Sequence, residues 1–463
     1  MIPPAVFAII LFIVIILIIM LDVIDHTAAA LIGGIIAIFY LALIWPEWRQ
    51  AVISADPSSL YQTLPPFFNA TVFGFFFNKW VDLPTLIIIL SMLVITEIAK
   101  DSGLFQFIAI NAIKLSRGDT RRLLAIFCIL SFAMTTVLTQ ITTMLIMGAL
   151  AFLACDALEI NPAPYLISIA LVSNVGGITS LIASVPAMLI AGATLYSFAW
   201  FIINIMPLGL LLLLVTLFVV MRLFHNDLIT PRPSRVEDLL ELDAWEMVPN
   251  RPIFYRTAIL LIAIIIGFVL LGSAGLTFLV ALGGALAFVV LSGIRPGQIF
   301  KEIEWTALFF FLGLFFLVGL LEEFYVLDSI GHAIQLLTIG NPFFATTLMV
   351  WITGMTSGFV DNIPVTLTFI PVVKILGTGP FPMPVGNLWA ALLAGAVLGG
   401  CLTPIASAAN VLAVTIAEKE ERPLPRNRFI MTGIILTVIY LLCSTAYLLL
   451  RLVLFPIAPP FFP

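Results

Sequence analysis

In the stretch GFVDNIPVTLTFIPVV, residues 358–373, one aspartate and one asparagine interrupt a run otherwise made mostly of apolar and small residues. A carboxylate in a bilayer interior costs at least about 2.5 to 3.5 kcal/mol on insertion scales, so it generally faces a cavity, a partner or an ion. Asp361 is therefore the candidate for a sodium ion or a proton. Pro364 suits the first turn of a helix, which predicts a return arm starting there with Asp361 and Asn362 just before it. A helix N-terminus presents unpaired N–H groups and partial positive charge. It favours a bound anion and lowers the cost of an ionised aspartate. Thr366 is added as a further ligand on the same arm, and the bland alternative is a tip that merely caps itself.

A second group of candidates lies between Gly399 and Asn410, where Gly399, Gly400, Pro404, Thr403, Ser407 and Asn410 fall in the middle of an apolar span. That composition predicts a broken helix whose freed carbonyls and amides could meet a substrate or a cation. The alternative is a packing kink of small residues. The first half holds a counterpart, Gly176, Gly177, Thr179 and Ser180 through Ser184 and Pro186, and a polar centre of Thr139, Gln140, Thr142 and Thr143.

These residues need elements to position them. The chain of 463 residues is 62% hydrophobic and 10% charged, with a mean hydropathy of +1.21, which predicts a polytopic membrane protein. Uninterrupted apolar runs mean an all-α architecture. Full spans are expected near 2–21, 28–45, 83–100, 163–192, 199–222, 255–275, 276–293, 305–322, 387–415 and 429–452. The first of these precedes Ala28-Ala29-Ala30 but lacks a basic leader, and is read as a retained span. Two blocks remain, 121–156 and 343–376. Their polar centres predict re-entrant hairpins, with two tightly joined full spans as the alternative.

The halves repeat. VDLPTLIII at 81–89 matches IEWTALFFF at 303–311, Thr139 matches Asp361, and GGITSLIASVPAM at 176–188 matches GGCLTPIASAANV at 399–411. A register held over about 100 residues points to duplication. Each half then has five spans and one hairpin, and an odd number of crossings inverts the second half. The expected organisation is a first repeat over 1–222, a cytoplasmic linker over 223–254 and a second repeat over 255–463. Ser234 and Glu237 have capping-box spacing for a linker helix running to about Val248 on the membrane surface. An insertion at 46–82 lengthens the first half and receives no function.

With both termini on the non-cytoplasmic side, 16 of the 20 basic residues fall in inside loops, which agrees with the positive-inside rule and predicts a plasma (inner) membrane protein. The four cysteines, Cys128, Cys155, Cys401 and Cys443, lie in apolar stretches without metal-site spacing and are read as packing residues. Glu97 is expected to pair with Lys100 at a membrane interface, and Glu322 and Glu323 to anchor the opposite end of the matching span.

The pairing of FVDNIPVTLTFIPVV with GGCLTPIASAANVLAVTIAEKE resembles the second-half signature of the ion transporter superfamily. That group contains arsenite permeases, NhaD-type sodium/proton antiporters, the melanosomal P protein, and citrate and divalent-anion symporters. The resemblance covers about 81–428. It implies a site built from the hairpin tips and broken helices, carried across the membrane by an elevator motion of a transport region against a scaffold. It places Asp361, Asn362, Pro364, Gly399, Gly400, Thr403, Ser407 and Asn410 in that site. The first half departs from the pattern, with Thr139-Gln140 in place of an Asp-Asn pair and Ser184 and Ala187 in place of Asp and Asn.

The expected function is secondary active transport of a small anion, of the citrate, dicarboxylate or arsenite class, coupled to sodium or protons. Sodium/proton antiport is the alternative and an ion channel a third reading. The three histidines form no HExxH and no second membrane aspartate pairs with Asp361, so an enzyme is not expected. No cofactor is expected beyond a coupling sodium ion or proton. The expected partners are a small inorganic or organic ion, the lipid bilayer and a second copy in a homodimer, without nucleic acid.

Overall fold

The computed structural model describes residues 3–21, 23–41, 77–229, 231, 233–241, 243–272, 275–378 and 383–454, and every regular element among them is helical. Most of the expected insertion at 46–82 lies outside the described residues, as does the side chain of Ser234. Seven helices among the described residues are long and apolar enough to cross a membrane: Leu83–Asp101, Thr120–Val137, Gln140–Leu158, Met206–Leu223, Arg251–Leu271, Trp305–Glu323 and Arg426–Leu454. The chain is thus an all-α polytopic membrane protein. Each arm of the first expected hairpin is by itself as long as a span, because polar residues occupy only its tip.

Several expected elements change. The span expected at 199–222 is a short helix, Phe198–Asn204, followed by Met206–Leu223, and the first of these bends by 114° from Val185–Thr194. Pro207, in the first turn of the longer helix, has no N–H to continue a ladder from Phe198–Asn204. Three short helices were not expected: Leu104–Lys114, Pro296–Glu302 and Val326–Thr338. The linker helix ends at Glu241, and a separate 3₁₀ turn, Ala244–Met247, follows. Asp243 starts that turn, its Oδ1 accepting from the Trp245 amide at 2.9 Å.

The chain divides into two units. One comprises Met1–Leu86, Glu304–Pro342 and Leu367–Val385. In it His26–Phe39 lies along Trp305–Glu323, and Pro4–Met20 packs on both. Lys79 Nζ reaches Glu323 Oε2 at 2.7 Å, so Glu323 is an ion-pair partner.

The second unit comprises Ile87–Ile303, Phe343–Thr366 and Gly386–Pro463, and it holds every candidate site residue. At its centre run Ala163–Gly176 and Val385–Gly399. The first is buried along its whole length, and the second from Asn387 onward. Helices apolar all round need such a position. Thr120–Val137 and Gln140–Leu158 both pack on Ala163–Gly176, and Ala408–Lys419 packs on Ala163–Gly176 and Gln140–Leu158. The linker is docked on this unit. Pro233–Glu241 lies against Gln140–Leu158, with Arg235 Nη2 donating to Glu159 Oε1 at 2.5 Å. The 3₁₀ turn sits on Leu104–Lys114, where Trp245 lies 4.6 Å from Phe107 and 5.5 Å from Phe254, ring centre to ring centre.

Candidate functional site

The candidate site is built from four helix starts, at two tips and two breaks. At the first tip Thr139 caps Gln140–Leu158, its Oγ1 accepting from the Thr142 amide at 3.3 Å and pairing with Thr142 Oγ1 at 3.0 Å. At the second, Asp361 stands directly before Asn362–Thr378 and its Oδ1 accepts from the Ile363 amide at 2.8 Å. The matched residues therefore occupy the same structural position. The return arms begin at Gln140 and Asn362, the second two residues earlier than the expected start at Pro364. Pro364 is the third helical residue, where its missing N–H is equally harmless. The reason is the cap itself: once the aspartate satisfies the Ile363 amide, Asn362 enters the helix.

Both expected breaks are present. Ala163–Gly176 stops before a non-helical stretch that ends at Ser184, and Val385–Gly399 before one that ends at Ser407. The two serines cap the next helices, Ser184 Oγ accepting from Ala187 N at 3.3 Å and Ser407 Oγ from Asn410 N at 3.4 Å. Each break is tied to the tip in its own half. Ser180 Oγ donates to Thr136 O at 2.7 Å, and Thr403 Oγ1 to Gly358 O at 2.9 Å. Those carbonyls lie three residues before Thr139 and Asp361 respectively. The same bond is thus made twice at equivalent places.

The close approach of backbones is also made twice. A Cβ on Gly399 would stand 2.2 Å from Gly354 O, and one on Gly176 would stand 3.1 Å from Phe132 O. A Cβ on Gly177 would meet Gln140 Nε2 at 2.0 Å, so the first tip's amide lies over that glycine. Pro186 starts Val185–Thr194, while Pro404 is half-buried within the second break.

The carbonyls freed by the breaks are largely satisfied within the protein, contrary to the expectation that they face a ligand. Thr179 Oγ1 donates to Gly176 O at 2.5 Å and pairs with Thr136 Oγ1 at 2.9 Å; Ser184 Oγ donates to Gly177 O at 2.7 Å. In the second break Asn410 Nδ2 donates to Gly400 O at 2.8 Å and Thr403 O at 2.9 Å. Thr366 Oγ1 donates back to Asn362 O at 2.7 Å, which commits its hydrogen to its own helix.

One residue was missed by sequence reasoning. Asn174, fully buried two residues before the first break, donates from Nδ2 to Asn410 Oδ1 at 3.0 Å and to Ala170 O at 3.0 Å. It joins the two halves. Its signal was present, a lone amide in the apolar stretch IALVSNVGG. Three buried atoms here have no hydrogen-bond partner among the described residues: Gln140 Nε2, Thr143 Oγ1 and Asn174 Oδ1. Buried polar atoms are nearly always paired, so each of these is available to a bound polar group. Asp361 is half-buried, and Asn362 is buried at 4% exposure.

Among the described residues the acidic group with metal-ligand proximity is Glu97, Asp101 and Glu302, and it does not include Asp361. Lys100 Nζ donates to Glu97, the pairing expected of these two residues.

Comparison with known proteins follows this geometry. The sequence model of a family described as citrate transporter, CitMHS, matches residues 9–395. A 46 kDa membrane protein of Mycobacterium leprae is 29% identical over 451 residues, covering 96% of this chain and 99% of that one. An uncharacterized transporter of Mycobacterium tuberculosis H37Rv is 29% identical over 377 residues, 81% of this chain and 88% of that protein. The human P protein is 25% identical over 510 residues, covering 93% of this chain and 58% of its own length. In fold, the chain is similar to the YdaH transporter of Alcanivorax borkumensis, with a TM-score of 0.61 at 15% identity over 93% of this chain and 99% of that one.

Proposed function

The chain belongs to the citrate transporter family, and we propose that it carries a small anion of the citrate, dicarboxylate or arsenite class, coupled to sodium or protons, through the site between the tips and breaks. It is a secondary transporter of a small solute, not an enzyme. The observation that carries the anion reading is the pair of tip helix starts, one flanked by the unpartnered buried donors Gln140 Nε2 and Thr143 Oγ1. N–H and O–H donors at a helix N-terminus stabilise negative charge. Asp361 on the other tip supplies the single carboxylate a coupling cation or proton needs. The repeated tip and break geometry supports two inverted halves with re-entrant tips, moved in an elevator manner relative to a scaffold.

The test is uptake and efflux in proteoliposomes with a panel of anions, with and without sodium and pH gradients. Expected is accumulation of one anion class that requires one of the two gradients. Proton release driven by sodium in the absence of any anion would assign the antiporter reading instead.

Gln140→Ala separates the roles of the tips. Loss of one neutral hydrogen bond costs roughly 0.5 to 1.5 kcal/mol, which raises the half-saturating anion concentration about two- to tenfold. The dependence on the coupling ion should stay as in the parent. A loss of ion dependence in Gln140→Ala would reverse the assignment.

A further inference from the structure

The last helix, Arg426–Leu454, ends on a cation that the transport site does not use. Arg451 is half-buried, and its Nη1 is fully buried with no hydrogen-bond partner among the described residues. Its electrostatic neighbours among the described residues are the phenols of Tyr447 and Tyr196, with no carboxylate. The guanidinium also lies 6.0 Å from the Trp200 ring centre, and Tyr196 is stacked on Trp200 at 4.2 Å and 16°. Tyr447 is tied down, its hydroxyl donating to Asn204 O at 2.9 Å. The aromatic rings flank the guanidinium, and the half-buried side chain keeps part of its surface exposed.

With no carboxylate beside it among the described residues, the cation favours an anion on its exposed side. Depth identifies which anion. From Arg426 to Arg451 the helix rises about 38 Å at 1.5 Å per residue. A bilayer with its headgroup layers is about 40–45 Å thick. Arg426 and Arg428 at one end and Arg451 at the other thus stand at headgroup level, where tryptophan and tyrosine also gather. An arginine that merely reached for water would leave no buried, unpaired nitrogen against aromatic faces.

We propose that Arg451, with Trp200 and the Tyr196 hydroxyl, forms a binding site for the phosphate group of a membrane lipid. The shared chemistry is a phosphate oxyanion, and the depth assigns it to lipid rather than to free phosphate. The site is separate from the tips and breaks and does not depend on which solute is carried.

The test measures lipid retention by native mass spectrometry of the full-length protein in an uncharged detergent. The probes are phosphatidylglycerol, diacylglycerol with the same chains and no phosphate, and inorganic phosphate as competitor. Phosphatidylglycerol should bind the parent about tenfold or more tightly than Arg451→Gln, the loss expected for one charge-assisted bond. Arg451→Lys should recover part of the difference, and diacylglycerol should bind parent and variant alike. Tyr196→Phe, which keeps the ring stack, should lose about two- to fivefold in lipid affinity and covers the case in which Arg451→Gln does not fold. Equal retention of phosphatidylglycerol by the parent and these variants overturns the proposal. So does displacement of the lipid by millimolar inorganic phosphate, which would assign the site to a soluble anion.

Discussion

Asp361→Asn should cut coupled transport by about ten- to a hundredfold while leaving the protein folded. The substitution removes a charge but retains a side-chain oxygen able to accept from the Ile363 amide, the bond that starts Asn362–Thr378. Asparagine and aspartate are about equal as helix caps, so stability should hardly move. A bond to a charged group contributes about 1.5 to 3 kcal/mol, and its loss lowers gradient-driven uptake about ten- to a hundredfold. Uptake with and without each gradient, beside thermal unfolding of the same preparation, separates the two effects. Thr139→Ala at the matching position is the internal comparison: it should cost about 1 kcal/mol of stability through the lost cap and leave ion dependence intact. Unchanged gradient dependence in Asp361→Asn would make the carboxylate a structural cap only.

The second large effect is expected at Asn410, which donates to Gly400 O and Thr403 O and accepts from Asn174. Asn410→Ala leaves the buried Gly400 carbonyl and one N–H of the Asn174 amide without a partner, while Thr403 O keeps the Ala406 amide at 3.4 Å and Asn174 keeps Ala170 O. At about 1 to 3 kcal/mol each, the two stranded groups cost roughly 2 to 6 kcal/mol, at the upper end of single substitutions. The unfolding temperature of purified protein should fall sharply, and folded yield with it. The double variant Asn174→Ala, Asn410→Ala should lose less than the sum of the single losses, because the amide stranded in one is absent from the other. Strict additivity would show that the cross-half bond carries no coupling.

Much of this site was legible because polar residues in an apolar chain stand out. Asp361 and Thr139 were matched by register alone, and they are found at equivalent helix starts. Ser184 and Ser407 were marked by the breaks they end. What sequence could not give was direction. Whether a freed carbonyl faces a ligand or a neighbouring amide depends on a side chain several residues away, as Asn410 decides for Gly400 and Thr403. Asn174 escaped notice because a single amide in an otherwise apolar helix has no pattern. The short helices Leu104–Lys114, Pro296–Glu302 and Val326–Thr338 escaped for another reason: they are too brief for the hydropathy that identifies spans. The break at Ile205 was hidden because apolar residues continue on both sides of it.

Of the four caps that border the site, Thr139, Ser184 and Ser407 are neutral and Asp361 alone can carry charge. A carrier with one fixed negative charge moves that charge whenever its site crosses empty, and moves none from this residue when a monovalent cation accompanies it. The membrane potential then acts on the return leg of the cycle. One elementary charge is worth about 2.3 kcal/mol per 100 mV, roughly fiftyfold in the distribution of the empty carrier. With the cytoplasm negative, that force turns the vacant site outward. A single ionised carboxylate would make the return of the vacant site, and with it the rate of the cycle, respond to the cell's voltage as well as to its ion gradient.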